Sequence, residues 1–151
     1  MRWSTSLRGI APRTSFEYKA SVPDPVAEAQ ELLVDTVETF EKLEIVRLLV
    51  RSAPRKLDAI MAELVLPLDV ARESLRELSA KRLIREDKGG WIIDPAGPRH
   101  DAVIALVQLY DSDRIGVVNR MTKIALERIR AGAARTFADA FILRPKKKED
   151  E

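Results

Sequence analysis

Residues 53–84 read APRKLDAIMAELVLPLDVARESLRELSAKRLI, and the spacing of their apolar side chains decides the fold. Leu57, Ile60, Met61 and Leu64 recur at steps of three and four. That is the period of one helix face, so a helix is expected from Leu57 to about Val65. Pro67 cannot continue it, because proline lacks the N–H and its ring collides with the preceding turn. Ala71, Leu75 and Leu78 then repeat at i, i+4 and i+7, which predicts a second helix from Leu68 or Asp69 to about Lys81. Beyond it the period changes. Leu83–Glu86 and Trp91–Ile93 are expected as short strands, and Asp87-Lys88-Gly89-Gly90 between them holds residues that tolerate a positive φ.

Working outward, Asp24-Pro25 opens an upstream helical stretch. Asp caps free N–H groups, and Pro at the first helical position loses no needed donor. Ala29, Leu32, Leu33, Val37, Phe40, Leu43, Val46, Leu49 and Val50 carry the helical period onward, as one helix or as two with a break near Asp35-Thr36. Ser52-Ala53-Pro54 ends it, since the residue before Pro avoids helical angles. Downstream, Asp94–Pro98 is a loop, and a long helical stretch is expected from about His100 to Ala134. Asp111-Ser112-Asp113 and Gly116 mark where it can divide.

Helix, helix, turn, helix and short hairpin is the order of a winged helix-turn-helix. The expected fold class is mainly α: a winged helix-turn-helix with a two-stranded β-hairpin wing and additional N- and C-terminal helices. The expected organisation is a disordered N-terminal arm over 1–24, a winged-helix domain with its N-terminal helix over 25–98, a C-terminal helical dimerisation region over 99–143, and a charged tail over 144–151.

Composition narrows the chemistry. The chain has 151 residues, 46% of them hydrophobic, which is enough for a core. It has no cysteine and one histidine, so disulfide scaffolds, thiolate sites and paired-imidazole chemistry are excluded, and no metal or cofactor is expected. His100 stands beside Arg99 and Asp101 at a helix start, where a capping or surface role is expected. No Gly-rich phosphate loop or nucleophile elbow is present, so an enzyme is not expected. Aromatics at 5% argue against a stacking platform for single strands. Charge is abundant but nearly balanced, at +2 overall. Residues 26–66 carry a net −3, residues 67–98 zero and residues 99–151 +3. No run of 18 apolar residues suggests a membrane span, and residues 1–25 lack the apolar core of a secretory signal, so a cytoplasmic location is expected.

Together with residues 53–84, three further stretches carry a resemblance: ETFEKLEIVRLLVRSAP (38–54), LVQLYDSDRIGVVNRM (106–121) and RTFADAF (135–141). The chain resembles a group of small, largely uncharacterised bacterial winged-helix proteins over most of its length after about residue 32. Those proteins are described as transcriptional regulators from their fold, so the resemblance implies architecture more than activity. Two departures stand out. Val65 occupies the position where many members have a turn glycine, and Pro67 the position where many have a Ser or Thr helix cap.

The expected function is that of a DNA-binding transcriptional regulator of winged-helix type, acting as a homodimer on double-stranded DNA. The alternative is a winged-helix protein–protein interaction module that does not bind DNA. Arg72 and Arg76 lie one turn apart on the expected reading helix, and arginine bonds guanine bidentately. Arg55, Lys56 and Lys88 are the candidate phosphate contacts. Against them stand Asp69, Glu73 and Glu77, which make the same helix read equally well as a solvated face of weak ion pairs. Trp91 is expected to plug the hairpin into the core. Val103, Val107, Tyr110, Val117, Met121 and Ile124 form a wide apolar stripe and are the expected dimerisation residues.

Overall fold

The computed structural model describes residues 24–142. The expected N-terminal arm, apart from Asp24, and the charged tail lie outside the described residues. The architecture is mainly helical with one small antiparallel sheet. Its elements are α1 (Pro25–Asp35), α2 (Phe40–Ser52), α3 (Leu57–Leu64), α4 (Leu68–Ala80), β1 (Ile84–Asp87), β2 (Gly90–Ile93), α5 (His100–Ser112) and α6 (Arg114–Ile142).

Local chemistry sets most of these boundaries. The Asp24 carboxylate accepts the Val26 N–H at 3.0 Å and caps α1. The upstream apolar stretch divides into two helices, because Thr39 starts α2 with its own side-chain cap on Lys42 N–H. β1 lies one residue later than expected and β2 starts one residue earlier, and they pair with Ile84 opposite Ile93 and Asp87 opposite Gly90. Arg55 bridges to Trp91 through two backbone hydrogen bonds, so the segment before α3 adds a third short rung to the hairpin. Gly90 is required there: its φ is +128°, and a Cβ would stand 2.5 Å from the Arg55 carbonyl.

The helical stretch from His100 divides into two helices at the Asp111–Gly116 segment. Asp113 leaves helical geometry, and its carboxylate accepts the Gly116 N–H at 3.0 Å, which starts α6 afresh. The second helix then runs eight residues further than expected, to Ile142.

The core lies between α1, α2 and α5, with α4 and the hairpin packed beneath. Leu32, Leu33, Leu43, Ile45, Leu49, Ile60, Leu78, Ile84 and Leu106 are fully enclosed. Tyr110 joins them with its ring buried, and its hydroxyl donates to Glu44 at 2.6 Å. Arg114 donates to that hydroxyl at 3.0 Å, and both Arg47 and Arg114 lie over the ring. Burial pushes the Tyr110 pKa up, and the Glu44 contact adds to the shift. This cluster fastens the start of α6 to α2.

The dimerisation residues expected from the sequence need correction. Val103, Val107, Tyr110, Val117 and Met121 are buried within the single chain, and Ile124 packs partly against the same core. The five buried side chains cannot also present a surface to a second copy. The break at Asp113 lets the two helices bury the stripe on α1 and α2.

Val65 ends α3 in the left-handed region, at φ 54° and ψ 51°. A β-branched residue is strained there, while glycine is not. The side chain is 86% exposed, so it returns little burial for that strain. Val65→Gly is therefore expected to stabilise the fold by about 1 kcal/mol. Chemical denaturation checks this, and a lower midpoint for the variant would refute the strain argument.

Candidate nucleic-acid interface

The alternation of charge along α4 has a simple geometric outcome. Asp69, Glu73 and Glu77 follow each other at steps of four, and so do Arg72 and Arg76. Arg72 and Arg76 each precede an acid by one residue, about 100° around the axis, so arginines and acids form two neighbouring stripes on the helix. The buried positions Ala71, Ser74, Leu75 and Leu78 turn the remaining face to the core.

The arginine side borders a cleft of about 750 Å³ between α4 and the hairpin. Lys56, Arg72, Arg76 and Lys88 all line it, together with Ser79 and the half-buried Trp91. Four of the five basic residues singled out from the sequence are thus brought to one concave surface. The acidic side faces elsewhere. Asp69, Glu73 and Glu77 line a separate depression with Glu38, Glu41 and Lys42 of the α2 end.

Glu77 is further neutralised by Lys42, which bonds both Glu77 and, at 2.7 Å, Glu38. Burial pushes the Lys42 pKa down, but its two carboxylate partners more than offset this and leave it raised. Glu73 accepts from Arg76 Nε at 3.0 Å and from Nη2 at 2.5 Å. That bond holds the Glu73 carboxyl below its ordinary value and raises the arginine. Because the contact uses the Nε side of the guanidinium, the Nη1–Nη2 end of Arg76 keeps its donors for another acceptor pair.

Arg55 is the exception among the expected contacts. Its Nε donates to the Ser52 carbonyl at 3.0 Å, and its Nη1 lies 3.6 Å from Glu63. Those bonds turn it toward α2 and α3, and it is not among the cleft residues. A basic residue beside a helix start reads the same in sequence whether it faces outward or ties down the chain, so nothing in the pattern separated Arg55 from Lys56.

No protein-family model, no curated protein and no solved structure matches this chain. The chemistry of the cleft must be read from its own residues.

Three acids also line the cleft: Asp58, Glu86 and Asp87. Four basic against three acidic side chains leave it only mildly positive, and both kinds of group are exposed at the hairpin. His100 makes no cap bond at the start of α5 and is partly exposed. It is the first residue of α5, with its Nδ1 3.4 Å from Asp101. Among the described residues, no group of three or more His, Asp or Glu side chains is arranged to hold a metal ion. No described helix is long and apolar enough to cross a membrane.

The pattern missed Ser79 and the three cleft acids as functional neighbours. The i+4 phase of Arg72, Arg76 and Ala80 already pointed to Ser79's side of α4. The acids of the hairpin carried no such signal, because strand residues reach the cleft only through the fold.

Proposed function

We propose that the chain is a DNA-binding transcriptional regulator of winged-helix type, which engages duplex DNA in the cytoplasm through the cleft between α4 and the hairpin. In this reading α3 and α4 are the helix-turn-helix pair, and β1–β2 is the wing. The observation that carries it is the sorting of charge around α4. Arg72 and Arg76 share one concave surface with Lys56 and Lys88, while the acids of the helix form the neighbouring stripe and line a separate depression. Lys56 and Lys88 suit phosphates, which position a protein without reading sequence. Arg72 and the free end of Arg76 suit guanine O6 and N7 in the major groove.

A labelled duplex titrated at low salt tests the reading. Arg72→Ala/Arg76→Ala is expected to weaken specific binding at least about 30-fold, from roughly 1–3 kcal/mol for each well-placed arginine. The thermal midpoint is expected to stay nearly unchanged, because both side chains are exposed. Equal affinity of wild type and variant would reject the assignment of these residues. Absence of any salt-sensitive duplex binding by the wild type would favour the second reading, a winged-helix protein-interaction module. Asp58, Glu86 and Asp87 in the same cleft are the observation on its side.

A further inference from the structure

From Leu126 onward every described residue of α6 is exposed; Arg128 still reaches back to the Val34 carbonyl of α1, and beyond it the helix continues as an arm of more than three turns. The arm is not polar. Leu126 is 47% exposed, Ile129 67%, Phe137 68% and Phe141 69%. With Ala133 and Ala140 they recur at steps of three and four, so they share one side. Phe137 and Phe141 meet edge to face at 4.7 Å, which leaves most of both rings open.

We propose that this strip, centred on Ala133, is the seam of a homodimer in which the arms of two chains pack antiparallel. Three observations select a second copy as the occupant. The first is self-complementarity, which a two-fold contact demands. Ile129 and Phe137 stand four residues either side of Ala133, and Leu126 and Ala140 stand seven either side. An axis through Ala133 seats Ile129 against the partner's Phe137 and Leu126 against the partner's Ala140. The small Ala133 lets the helices approach at the centre, while the larger side chains fill the ends where crossing helices diverge.

The second observation is area. With roughly 150–250 Å² per aromatic side chain, Phe137 and Phe141 leave roughly 250 Å² open at their observed exposures. Leu126, Ile129 and the alanines bring the strip to on the order of 500 Å² per chain. The pair then buries about 1,000 Å², the lower bound for a specific interface.

The third is charge. Residues 126–142 hold Arg128, Arg130 and Arg135 against Glu127 and Asp139. An anionic lipid surface calls for a strongly basic polar face. This face is nearly balanced and rich in alanine, so it offers a bilayer little and repels a second copy weakly. The seam is separate from the α4 cleft, and it stands or falls independently of DNA binding.

Light scattering on the full chain, without DNA, is the test. Wild type at high micromolar concentration is expected at twice 17.0 kDa. Ile129→Glu and Phe137→Glu are each expected to raise the dissociation constant at least tenfold with unchanged helical content, since neither side chain supports the core. The chain has no cysteine of its own, so Ala133→Cys introduces a single thiol. It is expected to form a disulfide-linked dimer on mild oxidation, whereas Lys88→Cys on the hairpin is not. A wild-type mass of 17.0 kDa would overturn the proposal, as would a full dimer in both Glu variants or an Ala133→Cys chain that fails to cross-link. A monomer that sediments with phosphatidylserine vesicles would overturn it as well and give the strip to a lipid surface.

Discussion

Leu75→Ala is expected to lower the stability of the fold by about 2–5 kcal/mol, the cost of lost burial plus the cavity left behind. Leu75 is 3% exposed and sits at the middle of α4, between Ala71 and Leu78 on the core-facing stripe. It also lies behind the cleft, where it backs the helix that carries Arg72 and Arg76. For a domain of this size the thermal midpoint is expected to fall by roughly 10 °C, read by circular dichroism. A shift of only one or two degrees would mean that α4 is seated mainly by other contacts. The phase assigned to its apolar stripe, and with it the outward direction of the arginines, would then need revision.

That phase was readable in advance because a single physical rule governs it. Ala71, Leu75 and Leu78 cannot share a helix face without turning Arg72 and Arg76 away from the core. The same rule sets those arginines on a different stripe from Asp69, Glu73 and Glu77, since Arg72 and Arg76 each stand one residue before an acid. What the pattern left open was where each row would look. Lys42 decides that for the acidic row, because it comes from α2 and reaches Glu77 only in the folded chain. Arg55 and Lys56 are adjacent cations with no distinguishing period, and the backbone pairing of Arg55 with Trp91 and its side-chain bonds to Ser52 and Glu63 part them. The turn after α3 was legible in a different way. Val65 stands where glycine is expected, and the backbone takes the left-handed conformation there all the same.

The C-terminal half is less legible in the sequence. A helical period identifies an apolar face but does not say whose surface covers it. Val103, Val107 and Tyr110 share a stripe with Val117 and Met121 when α5 and α6 are drawn as one rod. A single rod that wide would have surplus apolar surface for a partner. The Asp113 cap removes the surplus by folding α6 back, so the stripe closes on α1 and α2. The surface left over is on the later turns, which the pattern ended at Ala134 and which run to Ile142.

A charge placed at two points of α6 separates these environments. Val117→Asp is expected to destabilise the chain by more than about 3 kcal/mol, because an isolated carboxylate there has neither water nor a cation to satisfy it. Val117 is 3% exposed within one chain, so the damage is to the fold itself and precedes any question of assembly. The loss is expected in helical signal and thermal midpoint together. Ile129→Asp, twelve residues along the same helix and 67% exposed, is expected to leave the midpoint of the single chain almost unchanged. An unaltered midpoint for Val117→Asp, with a halved particle mass, would return Val117 to a seam between copies. Loss of helical signal in Val117→Asp beside an intact Ile129→Asp fold fixes the boundary between core and arm in the turns between them, where Ile124 is the last apolar side chain to touch the core.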